Sequence, residues 1–254
     1  MQSSFLVHSH IPKTGGSALN QRFLFPRLGE DRVQMLYRYV FEAAHRLPMR
    51  HITPSMRCYG ATGHVPYGYF ERVYPAAIYV SVFREPVDRM LSFLNFALAT
   101  PGHKLHERIG LAMAGRAAED PDAFAMAVLQ EPRLAVVHSN VQTRLACGCA
   151  RLADTRIDAL HLEIAESNLK QNNYLFGDQT DLSSFVEDMK ARFPLHGRSD
   201  SICEVDAKTE KRLPKLLTSD MLRPRTLAAL ENANHFDLGL YDRITKRTAN
   251  LAAA

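Results

Sequence analysis

Two strand–turn–helix units constrain this chain more than any other feature of its sequence. In the first, Phe5-Leu6-Val7-His8-Ser9-His10 has the character of a short buried strand. It runs through Ile11-Pro12-Lys13-Thr14-Gly15-Gly16 into a helix-like stretch from Ser17 to about Phe25. In the second, Ala77-Ile78-Tyr79-Val80-Ser81-Val82-Phe83 carries the β-branched and aromatic residues that suit a pleated surface. Pro86 then stands where a first helical turn has no use for an amide hydrogen, and Val87, Met90, Leu91 and Leu94 follow at helical spacing. A strand that hands over to a helix twice predicts parallel strands joined by crossover helices, an α/β fold.

The remainder reads mostly as helix, over 120–130, 137–147, 157–171, 181–192, 224–233 and 237–250, with a short strand at Tyr174-Leu175-Phe176. The polar, aperiodic segment 195–212 reads as a loop. No repeat, low-complexity tract or linker divides the sequence, so a single domain over 1–254 is expected. A chain of 254 residues can bury a sizeable core without disulfides or a structural metal. Cys58, Cys147, Cys149 and Cys203 show no disulfide-framework spacing, and no leader-like pattern opens the chain. No run approaches the roughly 18 apolar residues of a membrane helix. These features predict a soluble protein without a transmembrane segment, in a reducing and cytoplasmic setting, although the catalytic part of a membrane-anchored enzyme would read the same. The net charge of +4 is too mild for a nucleic-acid partner, yet it leaves room for a basic cleft.

The chemistry begins at Pro12-Lys13-Thr14-Gly15-Gly16-Ser17. Two glycines between a strand and a helix let backbone N–H groups approach an anion, and the helix N-terminus adds a favourable dipole. Lys13 can reach over the same anion, while the Thr14 and Ser17 hydroxyls can donate to it. A plain tight turn, with Ser17 merely capping the helix, would use the same residues. In the common nucleoside-triphosphate loop the lysine follows the glycines and a magnesium-binding hydroxyl follows the lysine. Here the lysine comes first. At Phe83-Arg84-Glu85-Pro86-Val87-Asp88-Arg89-Met90-Leu91-Ser92-Phe93, Arg84 offers a planar, permanently charged fork at a strand end. Ser92, about two helical turns on, can donate to the same phosphate. The alternative is a local ion pair of Arg84 with Glu85 or Asp88.

The first segment, taken as His10-Ile11-Pro12-Lys13-Thr14-Gly15-Gly16-Ser17, resembles the 5′-phosphosulfate loop of sulfotransferases that use 3′-phosphoadenosine-5′-phosphosulfate (PAPS). Its form is that of carbohydrate sulfotransferases, including the heparan sulfate 2-O and 6-O enzymes and their bacterial relatives. The Phe83–Phe93 segment resembles the same families' 3′-phosphate motif. Weaker likenesses follow at Gly63-His64-Val65-Pro66-Tyr67-Gly68, Asn140-Val141-Gln142-Thr143-Arg144, Lys208-Thr209-Glu210-Lys211-Arg212-Leu213-Pro214 and Phe236-Asp237-Leu238-Gly239-Leu240-Tyr241. The segment Phe176-Gly177-Asp178-Gln179-Thr180-Asp181-Leu182 departs from the Gly-x-Thr-Glu of such relatives and is assigned no role.

The resemblance implies a P-loop-NTPase-like three-layer sandwich, with a central parallel sheet between helices. It also implies PAPS as co-substrate, PAP as product, no metal, and a carbohydrate or glycolipid acceptor. Lys13 would neutralise charge on the leaving 5′-phosphate, cradled by Thr14, Gly15, Gly16, Ser17 and Ala18. Arg84 and Ser92 would hold the 3′-phosphate, and Lys208 and Thr209 would close over the nucleotide. Gln142 and Arg144 are candidates for the acceptor or nucleotide side, or for bracing a helix. His64 is the candidate base, since an imidazole with an ordinary pKa of about 6.5 removes protons well near neutrality; Glu71, Glu163 and His138 are alternatives.

His8 and His10 share a strand face, and Cys147-Gly148-Cys149 could lie near His138, but neither set completes a metal-ligand pattern. Three competing functions use the same sequence. An ATP-dependent small-molecule kinase would want a lysine after the glycines and an acidic magnesium site. A non-catalytic PAP-binding module would not need His64. A helical interaction protein would leave both phosphate motifs unexplained.

Overall fold

The computed structural model describes residues 5–36, 58–100, 120–131, 134–148, 156–194 and 217–252. Lys208, Thr209 and the segment 195–212 lie outside the described residues. Among the described residues, five strands, β1 (Leu6–Ser9), β2 (Val33–Met35), β3 (Gly60–Gly63), β4 (Ile78–Phe83) and β5 (Tyr174–Asp178), form one sheet in the order β2-β3-β1-β4-β5. Every pairing is parallel. The predicted parallel α/β fold is therefore the one observed.

Alternation along the strands sends side chains into two cores. Phe5, Val7, Tyr79 and Tyr174 pack on one face with Val141, Ala165 and Leu240. Leu6, Val80 and Val82 pack on the other with Leu19, Phe23, Val186 and Met189. Helices thus cover both faces, as an all-parallel sheet requires. On the first face lie α6 (Val141–Ala146), α7 (Ala159–Leu169) and α10 (His235–Ala252); on the second lie α1 (Gly16–Leu19), the turn after it, and α8 (Leu182–Arg192). A third cluster joins α3 (Pro86–Ala99), α4 (Pro121–Gln130) and α9 (Pro224–Ala233) through Leu91, Phe124 and Leu230. Tyr79 is wholly buried, and its hydroxyl accepts the Phe70 N–H at 2.8 Å, so its polar tip is satisfied inside the core.

The predicted helix after the first loop runs further than Phe25 and changes pitch. After α1 comes a π-helical turn, Asn20–Leu24, then α2 (Phe25–Leu28), which ends at Gly29 with φ 87°. Pro26 supplies a cause: its ring excludes the carbonyl four residues back, which an α-helix would place against it. The wider turn, closed by Phe25 N–H donating to the Asn20 carbonyl, relieves that clash. Strand β3, Gly-Ala-Thr-Gly, has only Thr62 among the residue types that announce a strand. It is built from small residues because its neighbours leave no room: a Cβ on Gly60 would stand 2.6 Å from the Leu6 carbonyl oxygen.

Candidate active site

From β1 the chain leaves for β2 at one edge of the sheet, whereas from β4 it leaves for β5 at the other. The carboxyl ends of β1 and β4 therefore flank a topological switch point, where open α/β sheets form their ligand crevice. Both predicted phosphate loops open there. The loop after β1 carries Lys13, the residue after β4 is Arg84, and Arg84 Nη1 donates to the Lys13 carbonyl at 3.3 Å.

Inside the first loop the backbone turns to positive φ at two positions. Lys13 has φ 67° and Gly15 has φ 91°. Gly15 can adopt that value without cost, but a lysine pays roughly 1–2 kcal/mol for it. Such strain at a charged residue marks a place where the fold holds a conformation against local preference. At Gly16 no side chain fits: a Cβ there would lie 2.8 Å from Cγ of His10, whose ring underlies the helix start. Gln179 and Leu182 wall the opposite side at Gly15, which is the place in the fold of the segment that sequence left without a role. Thr14 is buried and its hydroxyl donates to the Ile11 carbonyl at 2.9 Å, so it serves the loop's own shape and offers a ligand its backbone. Ser17 is exposed and Ala18 partly so, in the first helical turn. The Lys13 ammonium lies 4.6 Å from the centroid of Phe96. Phe96 is one turn beyond Ser92 on α3, so Ser92, partly exposed, shares the helix stripe that faces Lys13.

Arg84 is held from behind. Glu85 does not pair with it; its carboxylate accepts the Asp88 N–H at 2.6 Å and caps α3, with Pro86 as first helical residue. The Arg84 N–H donates to Gln142 Oε1 at 3.0 Å, and Gln142 Nε2 donates to the Arg84 carbonyl at 2.8 Å. Nε of Arg84 is buried without a hydrogen-bond partner, a donor that an anion oxygen would satisfy. Gln142, a candidate acceptor contact by sequence, is thus fully buried with both amide atoms engaged on Arg84. Arg144, on the same helix, is 6% exposed. Both side chains are buried, and the two hydrogen bonds to Arg84 make bracing the role the structure shows for Gln142.

His64 follows β3 directly and is partly buried beside the loop. Its Nδ1–H donates to the His10 carbonyl at 2.6 Å, which makes Nε2 the basic nitrogen. The rings of His10 and His64 lie 5.2 Å apart, and His8 stacks on His10 at 5.0 Å. Burial lowers the pKa of His64 to about 4, only partly opposed by its bond to the His10 carbonyl. His10 is lowered by burial and by the nearby His8, His64 and Lys13 charges. Of the alternative bases, Glu71 is exposed beside Gly68 in the segment after His64, Glu163 is exposed on α7, and His138 is buried with its own carbonyl accepting from Arg89. Among the described residues, no group of three or more His, Cys, Asp or Glu could hold a metal ion. Cys147 sits at the end of α6, its thiol donating to the Arg144 carbonyl at 3.3 Å.

The buried histidines make stability depend on acid. Burial lowers His8 and His138 from 6.5 to about 4. An unfolded chain takes up protons at these sites below pH 6.5 and the folded chain does not until about pH 4, so stability is whole above 6.5 and falls between the two values. At pH 5.5 each contributes a loss on the order of 1 kcal/mol, and His64, lowered to about 4 in the same way, adds to it. Urea unfolding at pH 7.5 and 5.5 should show that loss; equal midpoints would contradict neutral burial.

Sequence reasoning missed three contributors. Phe96 was discoverable, since it follows Ser92 by four residues on one helix. His10 stands in the same loop motif, but that its ring lies beneath Gly16 shows only in the fold, and the brace from Gln142 to Arg84 joins segments 58 residues apart. Fold and site together define an α/β protein with two cationic loops meeting at the switch point of its parallel sheet. Comparison with known proteins adds nothing further: no family profile matches the chain, and no curated protein matches it. Among the described residues, no helix is long and apolar enough to cross a membrane.

Proposed function

We propose that this protein is a sulfotransferase that moves a sulfuryl group from PAPS to a hydroxyl of a carbohydrate or glycolipid acceptor by in-line displacement. The observation that carries the reading is the convergence of the Lys13 loop and Arg84 across one crevice, with a buried Arg84 donor awaiting an acceptor. The donor nucleotide supplies an activated sulfate whose bond to the 5′-phosphate breaks as the acceptor oxygen–sulfur bond forms. The chain supplies position and charge. The loop N–H groups and Lys13 stabilise charge on the leaving phosphate. Arg84 and Ser92 hold the 3′-phosphate that distinguishes this nucleotide from ATP. His64 Nε2 takes the acceptor proton.

Calorimetric titration with PAP, 5′-AMP and ATP, on wild type and Arg84→Ala, tests the nucleotide. PAP should bind more tightly than 5′-AMP, and Arg84→Ala should weaken PAP by about 10–100-fold, the worth of a hydrogen bond to a charged group. Preference for ATP with magnesium would instead favour a kinase, and the sulfotransferase reading would fall.

A further inference from the structure

We propose that Gln142, set in place by Asp237 and Asn140, is the positioning element that makes Arg84 selective for a 3′-phosphate; this rests on the nucleotide reading above. Strand pairing ends one residue before Arg84: β4 meets β5 last at Phe83 and Asp178, and meets β1 last at Val80 and His8. The backbone N–H and carbonyl of Arg84 would otherwise lack ladder partners. Buried backbone groups are rarely left unpaired. The side-chain amide of Gln142 supplies both a donor and an acceptor, at 2.8 and 3.0 Å, and so acts as one residue of an absent strand. A guanidinium carried on a backbone held at both polar atoms points where the strand end points it.

Gln142 is itself located by a reciprocal pair of caps. Asp237, fully buried, accepts the Gln142 N–H at 3.0 Å and the Thr143 N–H at 2.7 Å, which closes the first turn of α6. Asn140, in a left-handed conformation with φ 49°, accepts the Phe236 and Asp237 N–H groups at 3.0 and 3.2 Å, which closes the first turn of α10. Each helix start is thus capped by a residue from the other. Arg89, wholly buried on α3, adds a charge that favours the Asp237 carboxylate against its burial. The chain of contacts runs from α10 through α6 to the strand end, and its last link is on Arg84.

Gln142→Met keeps the side-chain length and removes both hydrogen bonds. Its expected effect is loss of about 10-fold or more in the preference for PAP over 5′-AMP, with 5′-AMP affinity within a few-fold of wild type. Hydrogen exchange at the Arg84 amide, read in the same proteins, should accelerate. A purely structural role would lower the melting temperature and weaken both nucleotides equally, and that result would overturn the proposal. Retained preference with retained Arg84 protection would overturn it as well. Should wild type show no preference for PAP, the nucleotide reading fails; faster Arg84 exchange in Gln142→Met would then still support the brace, and unchanged exchange would sink that too. Gln142→Asn, which keeps the amide without adding charge but is too short to span both Arg84 groups, gives the same readouts if the methionine variant does not fold.

Discussion

Under the proposed reaction, replacing His64 by alanine should lower sulfuryl-transfer turnover by about 10²–10⁴-fold, the usual contribution of a positioned general base, while PAP binding changes little. The geometry gives the reason. Nδ1–H is committed to the His10 carbonyl, so the ring is held in one tautomer with its basic nitrogen on the other edge. Burial sets the lowered pKa of about 4 in the ligand-free protein, so the imidazole is neutral throughout the physiological range. An anionic donor nearby favours the protonated form and raises that value again on binding. The profile of kcat/KM, which reports the free enzyme, should therefore show no inflection near pH 6.5, whereas the limb in kcat should lie higher than the limb in kcat/KM. Wild-type turnover in His64→Ala would remove the residue from the mechanism. An inflection in kcat/KM at 6.5 would say that its environment is more open than the structure shows.

Lys13 carries the second large effect. Lys13→Ala should reduce the single-turnover rate by about 10²–10³-fold, as loss of one preorganised group on a developing negative charge does. The backbone adds a second arm to this test. Lys13 holds φ 67°, a value that glycine adopts without a clash. Lys13→Gly should therefore be as inactive as the alanine variant yet more stable than it by thermal melting. An alanine variant that turns over normally would end the role assigned to the ammonium. A glycine variant less stable than the alanine variant would show that the left-handed backbone is not strained.

These effects fall on residues that local chemistry makes visible. The loop from Pro12 to Ser17 could be recognised because its requirements are local: two glycines where side chains cannot go, and a cation beside them. The same holds for β4, whose β-branched and aromatic run is its own evidence, and for Pro86 at the start of α3. β3 was hidden, because strands reveal themselves by side chains that fill a pleated face and this one is nearly bare. Gln142 shows a different limit. Its sequence context left a ligand contact and a helix brace both open, and the structure sets its amide on a backbone 58 residues away in sequence. Polar side chains carry no mark of their partner until both are placed.

What was decided along the chain was the type of each main element and the identity of the charged groups, since propensity, turn chemistry and the order of lysine and glycine act over a few residues. What was decided only in three dimensions was where those groups meet. The strand order β2-β3-β1-β4-β5 brings the ends of β1 and β4 side by side, so Lys13 and Arg84, 71 residues apart, share one crevice. Burial by the surrounding layers, not the residue type, moved the histidines from 6.5 to about 4. Electrostatics and orientation depend on every neighbour within several ångströms, and most of those neighbours arrive from elsewhere in the sequence.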